Sequence, residues 1–153
     1  MRAIVQRISR GKVTVDGEMI AECGQGLMVL LGVTHGDTRE DADLLADKIA
    51  KLRIFSDEND KMNLSVTDVD GGIILVSQFT LYASYRKGNR PDYMNSASPD
   101  AAEPLYEYFA ERLKTHTPKV STGRFGAHMM LDFVNDGPVT IPMDSDVLKQ
   151  PKK

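Results

Sequence analysis

The sequence predicts an α/β fold: a single domain with mixed, largely antiparallel β-sheets and two main amphipathic helices packed on one side. Three observations carry that prediction. Apolar, β-branched runs recur along the chain, with "GLMVLLGV" at 26–33 and "GGIILVSQFTLYA" at 71–83 the clearest. Two other segments repeat apolar residues at helical spacing. Hairpin signals outnumber strand-helix-strand crossovers. At 153 residues the chain fits one domain, long enough to bury a core without disulfide or metal staples. We assign 1–145 to that domain and 146–153 to a flexible tail.

The elements follow in order. Residues 3–8 and 12–15 alternate well enough to read as two strands, and Asp16-Gly17 then signals a hairpin into a strand at 18–21. The run at 26–33 reads as a strand buried on both faces. Thr38 and Asp41 resemble a capping box, followed by Ala42, Leu45, Ile49 and Leu52 at helical spacing. "RIFSDENDKMNLSV" gives a short strand, an acidic turn at 57–61 and a second extended piece. The strand at 71–83 ends in polar residues. A second helix starts near Pro99 with Ser98 as its cap and carries Leu105, Tyr106, Phe109 and Leu113 inward; Pro104 is expected to bend or delay it. "STGRFGAHMMLDFVNDGPVTIPM" predicts two strands joined by a tight reversal at Gly137-Pro138.

Composition narrows the function classes. Apolar content of 41% and charged content of 27% are those of a soluble globular protein. The longest apolar run, 27–31, is far short of the roughly 20 residues a membrane span needs. The chain enters a strand pattern directly, without a signal peptide, so a cytoplasmic location is expected. The single cysteine, Cys23, is read as a small packed side chain. A net charge of −3 argues against broad, nonspecific nucleic-acid binding. "YRKGNRP" at 85–91 nevertheless gathers Arg86, Lys87 and Arg90 in one flexible segment, which is either a solvated loop or a local phosphate contact.

Chemistry is sparse. In "SQFT", Ser77 to Thr80, a strand that ends or bulges would free the backbone N–H groups of Phe79 and Thr80, the donors a developing oxyanion needs. As a strand, Ser77 and Phe79 share one face and Gln78 and Thr80 the other. Thr80 is a weak nucleophile without a base, and none of the three histidines adjoins it. His116 reads as solvated, His35 as a turn cap, and His128 as a strand residue facing either way. Their spacing defines no metal site, and no carboxylate pair is placed for acid and base work. No metal or cofactor is expected. Hydrolysis by such a chain points to an activated bond and a site built from backbone dipoles.

Taken together, "MRAIVQRISRGKVTVDG", "VSQFTLYA", "TGRFGA" and "VNDGPVT" strongly resemble the D-aminoacyl-tRNA deacylases, the D-Tyr-tRNA deacylase family, over nearly the whole chain. The resemblance implies a cytosolic homodimer that cuts the ester between a D-amino acid, and glycine, and the 3′-terminal ribose of tRNA. It implies that Gly137-Pro138 carries a cis peptide bond and enters the partner subunit's site opposite Ser77, Gln78, Phe79 and Thr80. It further implies that Arg7 anchors the Gly-Pro loop and that Phe125 and Met129 line the pocket for the terminal adenosine. The pattern departs at His128 and Pro142, which bear on local pocket shape. In the cis form, neighbouring carbonyl oxygens can point the same way and hold an α-ammonium, so that one enantiomer's side chain meets open space and the other's meets backbone. A sibling enzyme that removes L-amino acids, and a module that grips the acceptor end without hydrolysis, are the alternatives.

Overall fold

In the computed structural model, which describes residues 1–152, β1 (Arg2–Val15) is the spine of a six-stranded mixed sheet. The Asp16-Gly17 turn takes φ to 51° and 81°, left-handed backbone that Asp and Gly tolerate best. It returns β2 (Glu18–Cys23) antiparallel onto the second half of β1, while β3 (Gly26–Gly32) pairs antiparallel with the first half. A short ribbon of β4 (Phe55–Ser56) and β5 (Met62–Leu64) stands apart. β6 (Gly72–Ser77) and β7 (Val120–Thr122) extend the main sheet in parallel from β3. A Cβ on Gly26 would overlap the Gly72 carbonyl, so only glycine lets β3 and β6 start in this register. β8 (Met130–Asp144) lies antiparallel along β1 and pairs with no other described strand.

The sheet has two apolar faces. On one, Leu27, Val29, Leu31, Ile73 and Leu75 pack against α1 (Arg39–Lys51) and α2 (Pro99–Lys114), whose Leu45, Ile49, Phe109 and Leu113 are fully buried. Each such side chain contributes about 1.5–3 kcal/mol. On the other face, Ile8, Val13, Met28, Ile74 and Val76 pack against Met129, Leu131 and Phe133. The helices lie on one side, as the apolar spacing predicts. Thr38 and Asp41 form the expected capping box, Asp41 accepting the Thr38 N–H at 2.9 Å.

Four expectations are corrected. β1 is one strand, not two: its first half faces one core layer through Ala3 and Val5, its second half the other through Ile8 and Val13. β8 is likewise continuous, so Gly137-Pro138 is a bulge inside a strand and not a reversal. Gln6 pairs with Thr140 and Ile8 with Asn135, which loops out the residues between Asn135 and Thr140; strands that change layer do so at bulges. α2 begins at Pro99 without delay and runs through Pro104, which is exposed. The tail is helical over α3 (Ser145–Lys149). Ser145 is fully buried and donates to Asp41 at 2.8 Å, and Lys149 pairs with the same carboxylate at 2.7 Å.

Candidate active site

The strand β6 stops at Ser77 because Gln78 makes the last ladder bond, its N–H to the Leu31 carbonyl at 2.7 Å. Phe79–Tyr82 then winds into a 3₁₀ turn, so the alternating faces expected for Ser77 to Thr80 do not apply. The first N–H groups of any helical turn lack an internal acceptor. Here those are the N–H groups of Phe79 and Thr80, and neither has a backbone acceptor among the described residues. The Gln78 side-chain amide donates to the Thr80 hydroxyl oxygen.

Ser77, Gln78 and Phe79 border a cavity of about 620 Å³ that Phe125 and Met129 also line. That volume suits a small-molecule fragment the size of a nucleoside. Its walls are mostly apolar, and His128 and Tyr93 are the titratable side chains on them; no carboxylate, lysine or arginine is among the lining residues described. Phe79 is 54% exposed and meets the Tyr93 ring edge-on at 5.0 Å between centroids. Tyr106 supports the wall from behind. Its hydroxyl donates to the Leu75 carbonyl at 2.9 Å, its ring lies 5.8 Å from that of Phe125, and burial pushes its phenol up to about 12, keeping it a donor.

Gly137 and Pro138 lie outside the lining of this cavity, exposed on the bulge of β8, and the peptide bond between them is cis. Gly137 has a φ of 132°, a conformation L side chains rarely adopt. Arg7 holds the bulge: its Nε donates to the Asp136 carbonyl at 3.0 Å and its Nη1 to the Ile54 carbonyl at 2.7 Å. Asn135 closes it, accepting the Val139 N–H at 3.2 Å and donating to the Thr140 hydroxyl at 3.0 Å. Sequence reasoning missed this role for Asn135, although an Asn four residues before the rejoining strand is a signal for side-chain-to-backbone closure.

Arg86, Lys87 and Arg90 are exposed on a loop pinched by the Ser84–Asp92 bridge, away from the cavity lining. His35 lies in a turn, whereas His116 and His128 differ from expectation. His116 is not solvated: its Nε2 lies 2.7 Å from Asp47, which Arg112 also grips from α2. His128 precedes β8 in a loop, and His35 approaches the Met94 carbonyl at 2.6 Å. Cys23 is half-buried, and burial raises its thiol pKa. Among the described residues no cluster of three metal ligands occurs, and no helix is long and apolar enough to cross a membrane.

A mixed sheet, a mostly apolar pocket at the end of a parallel strand and a turn beside it whose first N–H groups lack backbone acceptors among the described residues are the parts that acyl-transfer chemistry requires. The family profile described as D-Tyr-tRNA(Tyr) deacylase matches residues 4–144, and the chain belongs to that family. A D-aminoacyl-tRNA deacylase of Clostridioides difficile is 56% identical over 145 residues, covering 95% of this chain and 97% of the relative. One of Flavobacterium johnsoniae is 57% identical over 146 residues, covering 95% and 97%. Among solved structures, the c-Myc DNA unwinding element binding protein superposes with a TM-score of 0.89 at 41% identity, covering 94% of this chain and 98% of that one. A probable eukaryotic D-amino acid tRNA deacylase superposes at 0.82 with 18% identity over the same shares, a likeness of fold.

Proposed function

We propose that this chain hydrolyses the ester joining a D-amino acid, or glycine, to the 3′-terminal ribose of tRNA, as a cytoplasmic homodimer that proofreads chirality. The observation that supports the reading is that the cavity and the braced Gly137-Pro138 bulge lie apart on one protomer. The cavity is bordered by Phe79, whose N–H has no backbone acceptor among the described residues, and carries no charged side chain on its described lining, whereas the braced Gly137-Pro138 bulge presents its main chain to solvent and lies off that lining. Each supplies what the other lacks.

In the dimer, the bulge of one protomer covers the cavity mouth of its partner. The terminal adenosine enters between Phe125 and Met129. Backbone carbonyl oxygens of the loop accept the α-ammonium, and the Phe79 and Thr80 N–H groups receive the ester oxygen as it gains charge. With those points fixed, a D side chain projects into open space and an L side chain strikes the loop. Rejecting the L form by about 10⁴-fold takes about 5.5 kcal/mol, which a braced backbone can supply. Glycine has no side chain to reject. The neighbouring ribose hydroxyl assists water, so Thr80 orients through its bond with Gln78 and is not acylated. Arg86, Lys87 and Arg90 contact tRNA phosphates.

The test is ester loss from D-Tyr-tRNA and L-Tyr-tRNA. Loss confined to the D form supports the reading; loss confined to the L form assigns the sibling specificity, and binding without loss assigns a non-catalytic acceptor-end module.

A further inference from the structure

Ser96 lies outside the motifs that mark the site in the sequence, yet it is on the cavity lining and bonds to the peptide that carries the Thr80 N–H. Its hydroxyl donates to the Phe79 carbonyl oxygen at 2.8 Å. That carbonyl and the Thr80 N–H belong to one planar peptide unit, so a bond that holds the oxygen at one end fixes the direction of the N–H at the other. It also polarises the unit, because a peptide whose carbonyl accepts a hydrogen bond donates more strongly through its N–H. Ser96 is itself held in place. Its N–H donates to the Tyr93 carbonyl at 3.0 Å, it bridges antiparallel to Thr34 at the end of β3, and the adjacent Ala97 N–H donates to the Val33 carbonyl at 2.9 Å. The strap therefore transmits the rigidity of the sheet to a peptide that has left it.

We infer that Ser96 is a positioning residue for ester hydrolysis, setting the plane of the Phe79-Thr80 peptide so that the Thr80 N–H meets the developing oxyanion. The inference rests on the deacylase reading above. A group that acts on transition-state charge through another lowers kcat and leaves KM nearly unchanged.

The experiment measures kcat and KM for D-Tyr-tRNA with the wild type, Ser96→Ala, Ser96→Thr and Thr34→Val. Thr34 ties the same strap through its hydroxyl to the Asn95 carbonyl without touching the Phe79-Thr80 peptide, so its variant reports on the strap alone. Deleting an oxyanion donor outright costs about 10²–10³-fold, and misdirecting one should cost less, about 10-fold in kcat. The expected result is that loss for Ser96→Ala with KM within about twofold, recovery in Ser96→Thr, and near-normal kcat in Thr34→Val. Unchanged kcat in Ser96→Ala, or equal losses in Ser96→Ala and Thr34→Val, overturns the inference while leaving the deacylase reading intact. No turnover by the wild type overturns both.

Discussion

The Arg7 guanidinium donates to the Asp136 carbonyl oxygen at 3.0 Å, and this bond fixes the residue immediately before Gly137. The other end of the same side chain is bonded to Ile54, in the segment that leaves α1. Arg7 thus braces the exposed bulge against the body of the domain, and its side chain is only 12% exposed. Arg7→Ala should cost about 2 kcal/mol of stability by leaving two carbonyls without their charged donor. It should also relax chirality, raising cleavage of L-Tyr-tRNA relative to the D form. Arg7→Lys, which lacks the fork that reaches both carbonyls, should recover stability better than selectivity. Urea unfolding and paired deacylation rates measure the two effects separately.

The chemistry is assigned to backbone donors, and proline distinguishes them from side chains. Phe79 is the first residue of its 3₁₀ turn, a place where proline fits while removing the N–H. Phe79→Pro should slow turnover by about 10²-fold. Phe79→Ala, which loses the ring and keeps the donor, should be the milder variant. Thr80→Val should slow turnover by about tenfold or less if Thr80 only orients, whereas an acyl-enzyme route requires its complete loss. Single-turnover rates on D-Tyr-tRNA decide between them.

The loop bridged by Ser84 and Asp92 carries Arg86, Lys87 and Arg90 outward. Replacing all three by glutamine should weaken tRNA binding and flatten its salt dependence, by a slope of about 2 in log Kd against log salt for three single-strand phosphate contacts. Filter binding across a salt series measures it. An unchanged slope takes these residues out of the interface.

Acid should loosen the helical layer. At Asp41, burial alone would raise the carboxyl, but the bond and charge of Lys149, the Thr38 N–H and the Ser145 hydroxyl together hold it well below the usual carboxylate range. At Asp47, the Arg112 bonds lead and His116 adds to them, outweighing burial and leaving the carboxyl at about 2. Both folded values lie below an unfolded value of about 3.9. Their stabilisation is therefore complete above that unfolded value and is lost as pH falls through the folded ones. Urea midpoints should hold steady from neutral pH down to about 5 and drop between about pH 4 and 2. Asp47→Asn should lower the midpoint at pH 7 and make the drop shallower.

What the sequence revealed was what neighbours in the chain determine. Thr38 and Asp41 are three residues apart and the apolar faces of α1 and α2 repeat within a turn, so the helices and the buried strands 26–32 and 72–77 were legible. The bulge was not, because Asn-Asp-Gly-Pro reads as a reversal until the opposing strand is known, and it is the layer change in β1 that keeps β8 going straight through it. The 3₁₀ turn at Phe79 hides for a similar reason: its start is set by a bond from Gln78 to Leu31, 47 positions earlier in the chain. His116 finds Asp47 from 69 residues away, and Ser96 finds Phe79 from 17; no local pattern encodes either. Ser77, Gln78, Phe79, Phe125 and Met129, which border one cavity, were named through family resemblance and not through spacing, and Thr80, named with them, is not on its described lining.

The central claim is that one protomer's Gly137 loop completes the other's cavity, and subunit mixing tests it most directly. A Cβ on Gly137 would lie 2.9 Å from both Arg7 and Val139, so Gly137→Ala spoils the loop a protomer lends, while Phe79→Pro spoils the cavity it keeps. Each homodimer should be slow on D-Tyr-tRNA. After the two are mixed and subunit exchange is verified, half of the dimers should be hybrids with one intact site, restoring about a quarter of wild-type activity. A mixture no faster than the mean of its two components would contradict the account.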